Sequence, residues 1–227
     1  EISKFPDILN IEEDLQKGKK IERILESGLN IHDLIKDKEV PSDEDVRKIF
    51  KKFEKDFLNG ISEKLLNPKS SVYTLAKTPL LSKANTLTRS FSTDLGAIWE
   101  DIAFLSPKVI STEKFFDGLK IRGVDFIVIN DKEFCFCQIK TMKGTLTGSQ
   151  KPRSEKELKI YKKSKFIAAL ELGSWTFNSS FVPRVSGRDF WNLIDLDYDL
   201  IIKNAKNLLS TMEDYLKNNE SDDEKII

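Results

Sequence analysis

Three polar residues stand inside apolar, β-rich sequence in a spacing that could hold a metal ion: Asp125, Gln138 and Lys140. Residues 124–130 and 133–141 read as two strands, apolar on both faces and joined by a short polar turn. A two-residue turn at Asp131-Lys132 sets Asp125 directly across from Gln138. Alternation along the second strand then brings Lys140 out on the same face as Gln138. Among neighbours such as Phe126, Val128 and Ile139, such a trio is expensive to bury unless it is paired, hydrated or metal-bound. A hard divalent cation suits it. Mg²⁺ takes carboxylate, amide and carbonyl oxygens and keeps several waters, so Asp125, Gln138 and the Ile139 backbone carbonyl could share it. Such a site can acidify a bound water and offset charge growing on phosphorus, with Lys140 placing the water.

An amide oxygen carries no negative charge, so a second carboxylate becomes useful. A helix beginning near Thr93, with Ser92, Thr93 or Asp94 as cap, carries two candidates, Glu100 and Asp101. Adjacent helical residues point about 100° apart, so only one faces the strands directly. Gly96 and Ala103 beside Glu100 favour it, and Asp101 remains the alternative. Asp117 competes for the Asp125 role but precedes the strand, where capping a turn is the simpler task. His32 is the single histidine and lacks the surrounding ligands of a His-metal site. No Cys/His zinc spacing, phosphate-binding glycine loop or nucleophile elbow is present.

The elements that must position these residues follow from periodicity. Val46, Ile49, Phe50, Phe53, Phe57, Leu58, Ile61 and Leu65 recur at helical spacing over 43–66, behind Ser42 and Asp45 as a capping pair. Lys48, Lys51, Lys52 and Lys55 read as its solvated face. Pro68 to Pro79 reads as a connector. Ser154 and Glu157 suggest a capping box for a helix reaching Lys163, Lys165–Leu172 another buried strand, and Asp197–Leu216 a last amphipathic helix. The fold class is therefore α/β: a mixed sheet flanked by helices over 86–227, after a mainly helical region over 1–85 that serves packing, dimerisation or embrace of a partner.

Positive and negative side chains balance at 37 each, which excludes a generically basic polyanion coat. The charge is nevertheless uneven, with eight Lys or Arg against two Glu in residues 141–165. Lys143, Thr145, Thr147, Ser149, Gln150, Lys151 and Arg153 are candidates for contacts to phosphates and base edges, with Arg184 and Arg188 as a second group. Cys135 and Cys137, two apart on one strand, make no sensible bridge and fit a cytoplasmic protein. No apolar run is long enough to span a membrane.

Gly123-Val124-Asp125 followed by a hairpin and Gln138-Ile139-Lys140 resembles the motif of the PD-(D/E)XK nuclease superfamily, in the variant with Gln at the second acidic position. Val124 stands where Pro is usual. Gly96-Ala97-Ile98-Trp99-Glu100 resembles the family's first core helix, and Ser186 to Ile194 is similar to a Gly-x-x-Phe-Trp segment of bacterial type II restriction enzymes. The resemblance covers about residues 92–195. It implies a restriction-endonuclease-like fold and Mg²⁺-dependent cleavage of double-stranded DNA at a specific site by a homodimer. Asp125, Gln138, Glu100 and the Ile139 carbonyl would be around the metal, Lys140 would be catalytic, and a separate DNA methyltransferase would be its companion. A non-catalytic DNA-binding subunit of the same fold and a structure-specific repair or recombination nuclease are the alternatives.

Overall fold

A computed structural model describes residues 6–27, 39–66, 76–116, 118–130 and 133–220. The chain forms two compact units, each discontinuous in sequence. One comprises residues 1–41 and 99–196, the other 42–98 and 197–227. A single division near residue 85 does not describe this arrangement, because residue 85 lies inside a continuous helix. His32, Asp117, the Asp131-Lys132 turn and most of the connector after Pro68 lie outside the described residues.

The larger unit is built on a five-stranded mixed sheet. Its strands in chain order are β1 (Val109–Ile110), β2 (Phe126–Asn130), β3 (Glu133–Met142), β4 (Ser164–Leu170) and β5 (Arg184–Ser186), and they lie in that order across the sheet. β1, β2 and β3 run antiparallel in turn, and β4 and β5 add in parallel to β3. The hairpin register is the expected one: Phe126 faces Cys137, Val128 faces Cys135 and Asn130 faces Glu133. Strand boundaries differ slightly, since β2 begins at Phe126 and β4 ends at Leu170.

Helices cover both faces, which explains why residues 126–129 of β2 and 166–170 of β4 are apolar on both faces. On one face Ile127, Ile129, Phe136 and Phe166 join Ile21 and Leu25 of α1 (Pro6–Glu26) in one buried cluster. Phe136 stacks on Tyr161 at 4.1 Å between ring centres, and Phe166 stacks on Phe177 at 4.3 Å. On the other face Phe126 packs against Phe104 and Phe190. There α4 (Gly187–Leu193) is anchored by Trp191, fully buried, whose indole N–H donates to the Ala169 carbonyl at 2.8 Å. A buried Trp needs such a partner.

The second unit is helical. In α2 (Asp43–Leu66) the predicted apolar face is buried or half-buried and Lys48, Lys51, Lys52 and Lys55 are exposed. Ser42 and Asp45 form the reciprocal cap: the Ser42 amide donates to the Asp45 carboxylate at 3.0 Å, and the Asp45 amide donates to the Ser42 hydroxyl at 3.3 Å. The apolar face of α2 meets α5 (Tyr198–Glu220) and the ring of Phe91.

Two helix boundaries differ from expectation. The helix expected to start near Thr93 is the end of α3 (Pro79–Ala103), which runs unbroken through Ser92 and Thr93. The Thr88 and Thr93 hydroxyls donate back to the Ala84 and Arg89 carbonyls, so Thr93 acts as an interior residue and not as a cap. Likewise Ser154 does not cap. It is buried within α6 (Gln150–Leu158), whose cap position is Ser149, and Glu157 reaches Arg122 and Arg153 instead of its own helix start. At Glu157 a tertiary partner, Arg122, overrides the local pattern, whereas at Thr93 the competing bond is itself local, to the carbonyl one turn back. Among the described residues no helix is long and apolar enough to cross a membrane.

Candidate active site

Asp125 sits where the hairpin ladder stops. Its amide donates to the Cys137 carbonyl at 2.8 Å, and its Oδ2 accepts the Ile139 amide at 2.7 Å. Those two contacts flank Gln138. The first is one residue out of step with the ladder, so Asp125 does not continue the Phe126 to Cys137 register as a plain opposed pair. Its side chain takes the place of a backbone acceptor for Ile139, which fixes the carboxylate against β3 and leaves Oδ1 outside that bond. Within a strand, N–H and C=O of one residue point to the same edge, so the Ile139 carbonyl lies on the Asp125 side of β3.

Gln138 is 6 % exposed, and its Oε1 has no hydrogen-bond partner among the described residues. A buried amide oxygen left without a donor costs about 1–3 kcal/mol. It is the kind of acceptor that a cation would satisfy.

Glu100 approaches from the last turn of α3. Trp99, just before it, donates its indole N–H to the Thr141 hydroxyl at 3.1 Å, tying the helix end to the strand residue after Lys140. Burial, and next the negative charge of Asp125, push the Glu100 carboxyl up to about 7, while Lys140 pulls it down. Burial likewise raises Asp125, opposed by Lys140 and by the Ile139 amide. The three groups therefore share one electrostatic environment: two carboxylates that resist simultaneous ionisation and one ammonium that favours it. Asp101 is exposed and Glu100 is half-buried, although both line the same cleft. Gly96 does not serve a close approach, since a Cβ there would meet nothing within 4 Å. Ala103 is fully buried, as close approach requires.

The cleft has a volume of about 450 Å³ and is lined by Glu100, Asp125, Ser111, Thr112 and Glu113, among others. Residues 111–114 and 120–121 form a wall that the strand pattern did not disclose. Glu113 there pairs with Lys120 at 3.1 Å. Nothing local marked these residues; only the path of the chain from β1 to β2 brings them to Asp125. Among the described residues no group of three or more His, Cys, Asp and Glu side chains forms a ready-made cage. A hard cation that keeps part of its water shell does not need one. Asp125 and Glu100, the orphaned Gln138 oxygen and the Ile139 carbonyl are a donor set that fits it.

The candidate contact residues divide. Lys143, Thr145, Thr147 and Ser149 follow β3, Gln150, Lys151 and Arg153 start α6, Arg184 begins β5 and Arg188 lies in α4. Thr145 is engaged locally, accepting the Met142 amide and donating to the Met142 carbonyl. Gln150 accepts the Thr147 amide. Lys143 and Arg184 both lie over the Trp175 ring, at 6.0 and 5.3 Å, and Arg184 donates to the Phe177 carbonyl. The Arg188 amide donates to Glu171. Thr147, Ser149 and Gln150 are exposed, and Lys151 is half-buried. Cys135 and Cys137 are free thiols.

No protein-family model, no curated protein and no solved structure matches the chain.

Proposed function

We propose that this protein is a Mg²⁺-dependent endonuclease of double-stranded DNA, with the restriction-endonuclease-like fold that its motifs imply, acting as a site-specific homodimer in the cytoplasm. The observation that carries the reading is the meeting of Asp125, Glu100 and Lys140 in one electrostatic environment, with the hydrogen bonds of Asp125 to Cys137 and Ile139 flanking Gln138, whose buried amide oxygen has no donor among the described residues. The mixed sheet with helices on both faces is compatible with that fold.

A Mg²⁺ bound there would supply an acidified water and neutralise charge on the scissile phosphate. Asp125, already oriented by the Ile139 amide, would hold it together with Glu100, the Gln138 Oε1 and the Ile139 carbonyl. Lys140 positions the attacking water and stabilises the charge developing on the phosphate oxygens. Lys143, Lys151, Arg153 and Arg188, with the hydroxyls of Thr147 and Ser149, would grip the duplex backbone, and Gln150 could read base edges.

Digestion of plasmid and phage DNA with purified protein and Mg²⁺ tests this. Discrete fragments are expected, and Asp125→Ala and Lys140→Ala should each abolish them while leaving duplex binding intact. Undiminished cutting by both variants would sink the assignment of the site. A smear would favour a structure-specific repair or recombination nuclease. Retained binding without any cutting would favour a non-catalytic DNA-binding subunit, the reading that an amide in place of the second acid keeps open.

A further inference from the structure

Gly123, two residues before Asp125, has a positive φ of 74° and lies against Glu157 of α6. A Cβ at Gly123 would fall 2.5 Å from Glu157 Oε2 and 2.6 Å from its Cβ, so only glycine permits this approach. Glu157 is nearly buried, with 12 % of its side chain exposed. Its Oε1 accepts from two guanidinium groups on different segments, Arg122 Nε at 3.1 Å and Arg153 Nε at 2.8 Å. Arg122 and Gly123 belong to the turn that delivers Asp125 to the sheet, and the Val124 amide closes it on the Ile121 carbonyl. Arg153 belongs to the first turns of α6, next to the basic segment after β3. One carboxylate thus joins the strand entry that carries Asp125 to the element that carries the candidate phosphate contacts.

We propose that Glu157 is a positioning residue: it latches the Arg122-Gly123 turn, and through it Asp125, onto α6, and Arg153 extends the latch to a phosphate of the nucleic acid. Arg153 commits Nε to Glu157, while its side chain is 60 % exposed. A planar guanidinium can keep one donor on a carboxylate and offer its terminal groups to a phosphate. Phosphate engagement then restrains Arg153, Glu157 and the Gly123 turn together, and the carboxylate two residues on is held in place when duplex is bound. The Arg153 half rests on the nuclease reading above; the Glu157 half does not.

The Ile139 amide, bonded to Asp125 Oδ2, reports the carboxylate's position directly, and the Phe136 amide, bonded to the Lys163 carbonyl, is a control on the same strand. Amide exchange of the full chain by NMR should show Ile139 protection falling at least about tenfold in Glu157→Gln, with Phe136 unchanged. Adding a duplex oligonucleotide with Ca²⁺ should raise Ile139 protection in the natural protein but not in Arg153→Gln, an exposed position where folding is safe. In single-turnover cleavage, Glu157→Gln should slow the reaction about 10- to 100-fold while duplex Kd stays within about twofold, because misplacement of a reacting group costs rate and not affinity. Arg153→Gln should weaken duplex binding. Unchanged Ile139 protection in Glu157→Gln overturns the latch. An equal duplex-induced rise in Arg153→Gln, or none in the natural protein, overturns its extension to phosphate. Loss of Ile139 protection in Glu157→Gln, in a protein that never cuts DNA, upholds the latch and removes only the nuclease reading.

Discussion

Gln138 bears the sharpest physical conflict in the site. Its side chain is buried and polar, yet its oxygen has no donor among the described residues. Replacing it by an apolar residue of similar size should remove that cost. Gln138→Leu is expected to leave stability in EDTA unchanged or raised by about 1 kcal/mol, read from the urea midpoint, while the stabilisation produced by Mg²⁺ disappears. A large loss of stability in EDTA would mean the amide has a partner after all. Glu100 makes a second residue-scale prediction. Its folded-state carboxyl is raised to about 7, above the ordinary value near 4.5, chiefly by burial and then by Asp125. The folded state therefore binds the extra proton between those values, and metal-free stability should fall as pH rises from about 4.5 to about 7, then level off. Mg²⁺ affinity should rise over the upper part of that window, as the carboxylate becomes available. Glu100→Gln should flatten both profiles, measured by urea unfolding and by calorimetric titration across pH.

At the scale of elements, the site depends on how the end of α3 is tied to β3. Trp99 precedes Glu100 and Thr141 follows Lys140, so their hydrogen bond at 3.1 Å fixes the distance between an acidic helix end and a basic strand end. Thr141→Val keeps the shape and deletes the acceptor. It should cost about 1 kcal/mol of stability and slow DNA cleavage by more than that loss accounts for, because catalysis is sensitive to small misplacements. Equal cleavage rates in the two proteins would show that the helix end is held by packing alone. Elements also show where local pattern misled. Ser154 and Glu157 have capping-box spacing, but Arg122 and Arg153 claim the glutamate and the helix starts at Gln150. A single ion-pair partner 35 residues away cannot be read from a four-residue motif.

At the scale of the molecule, the chain enters one unit, crosses to a second at residue 42, returns at Trp99 and ends in the second from Asp197 onward. Within that second unit, α5 covers the apolar face of α2. Ending the chain at Leu196 should expose Val46, Phe50, Phe57 and Ile61, which are buried in the intact protein. Limited proteolysis of that truncation is expected to cut within residues 42–98, and resistance equal to the full chain would refute it. Local alternation and helical period were enough to give the hairpin, its register, and α2 with its cap, because each depends on neighbours close in sequence; the expected opposition of Asp125 to Gln138 was not met, because the Asp125 amide bonds to Cys137 one residue out of step. They were not enough to give the Glu157 clamp, the cleft wall of residues 111–114 and 120–121, the packing of α1 in the sheet core or the discontinuous units. Those arise from contacts between segments far apart in the chain, where burial and charge select among locally similar alternatives. The sequence alone determined the hairpin and its register, with Asp125 just before β2 and Gln138 and Lys140 on β3. Only the tertiary structure decided that Glu100 shares their field and that Glu157 borders the turn leading to Asp125, since both depend on helices arriving from elsewhere.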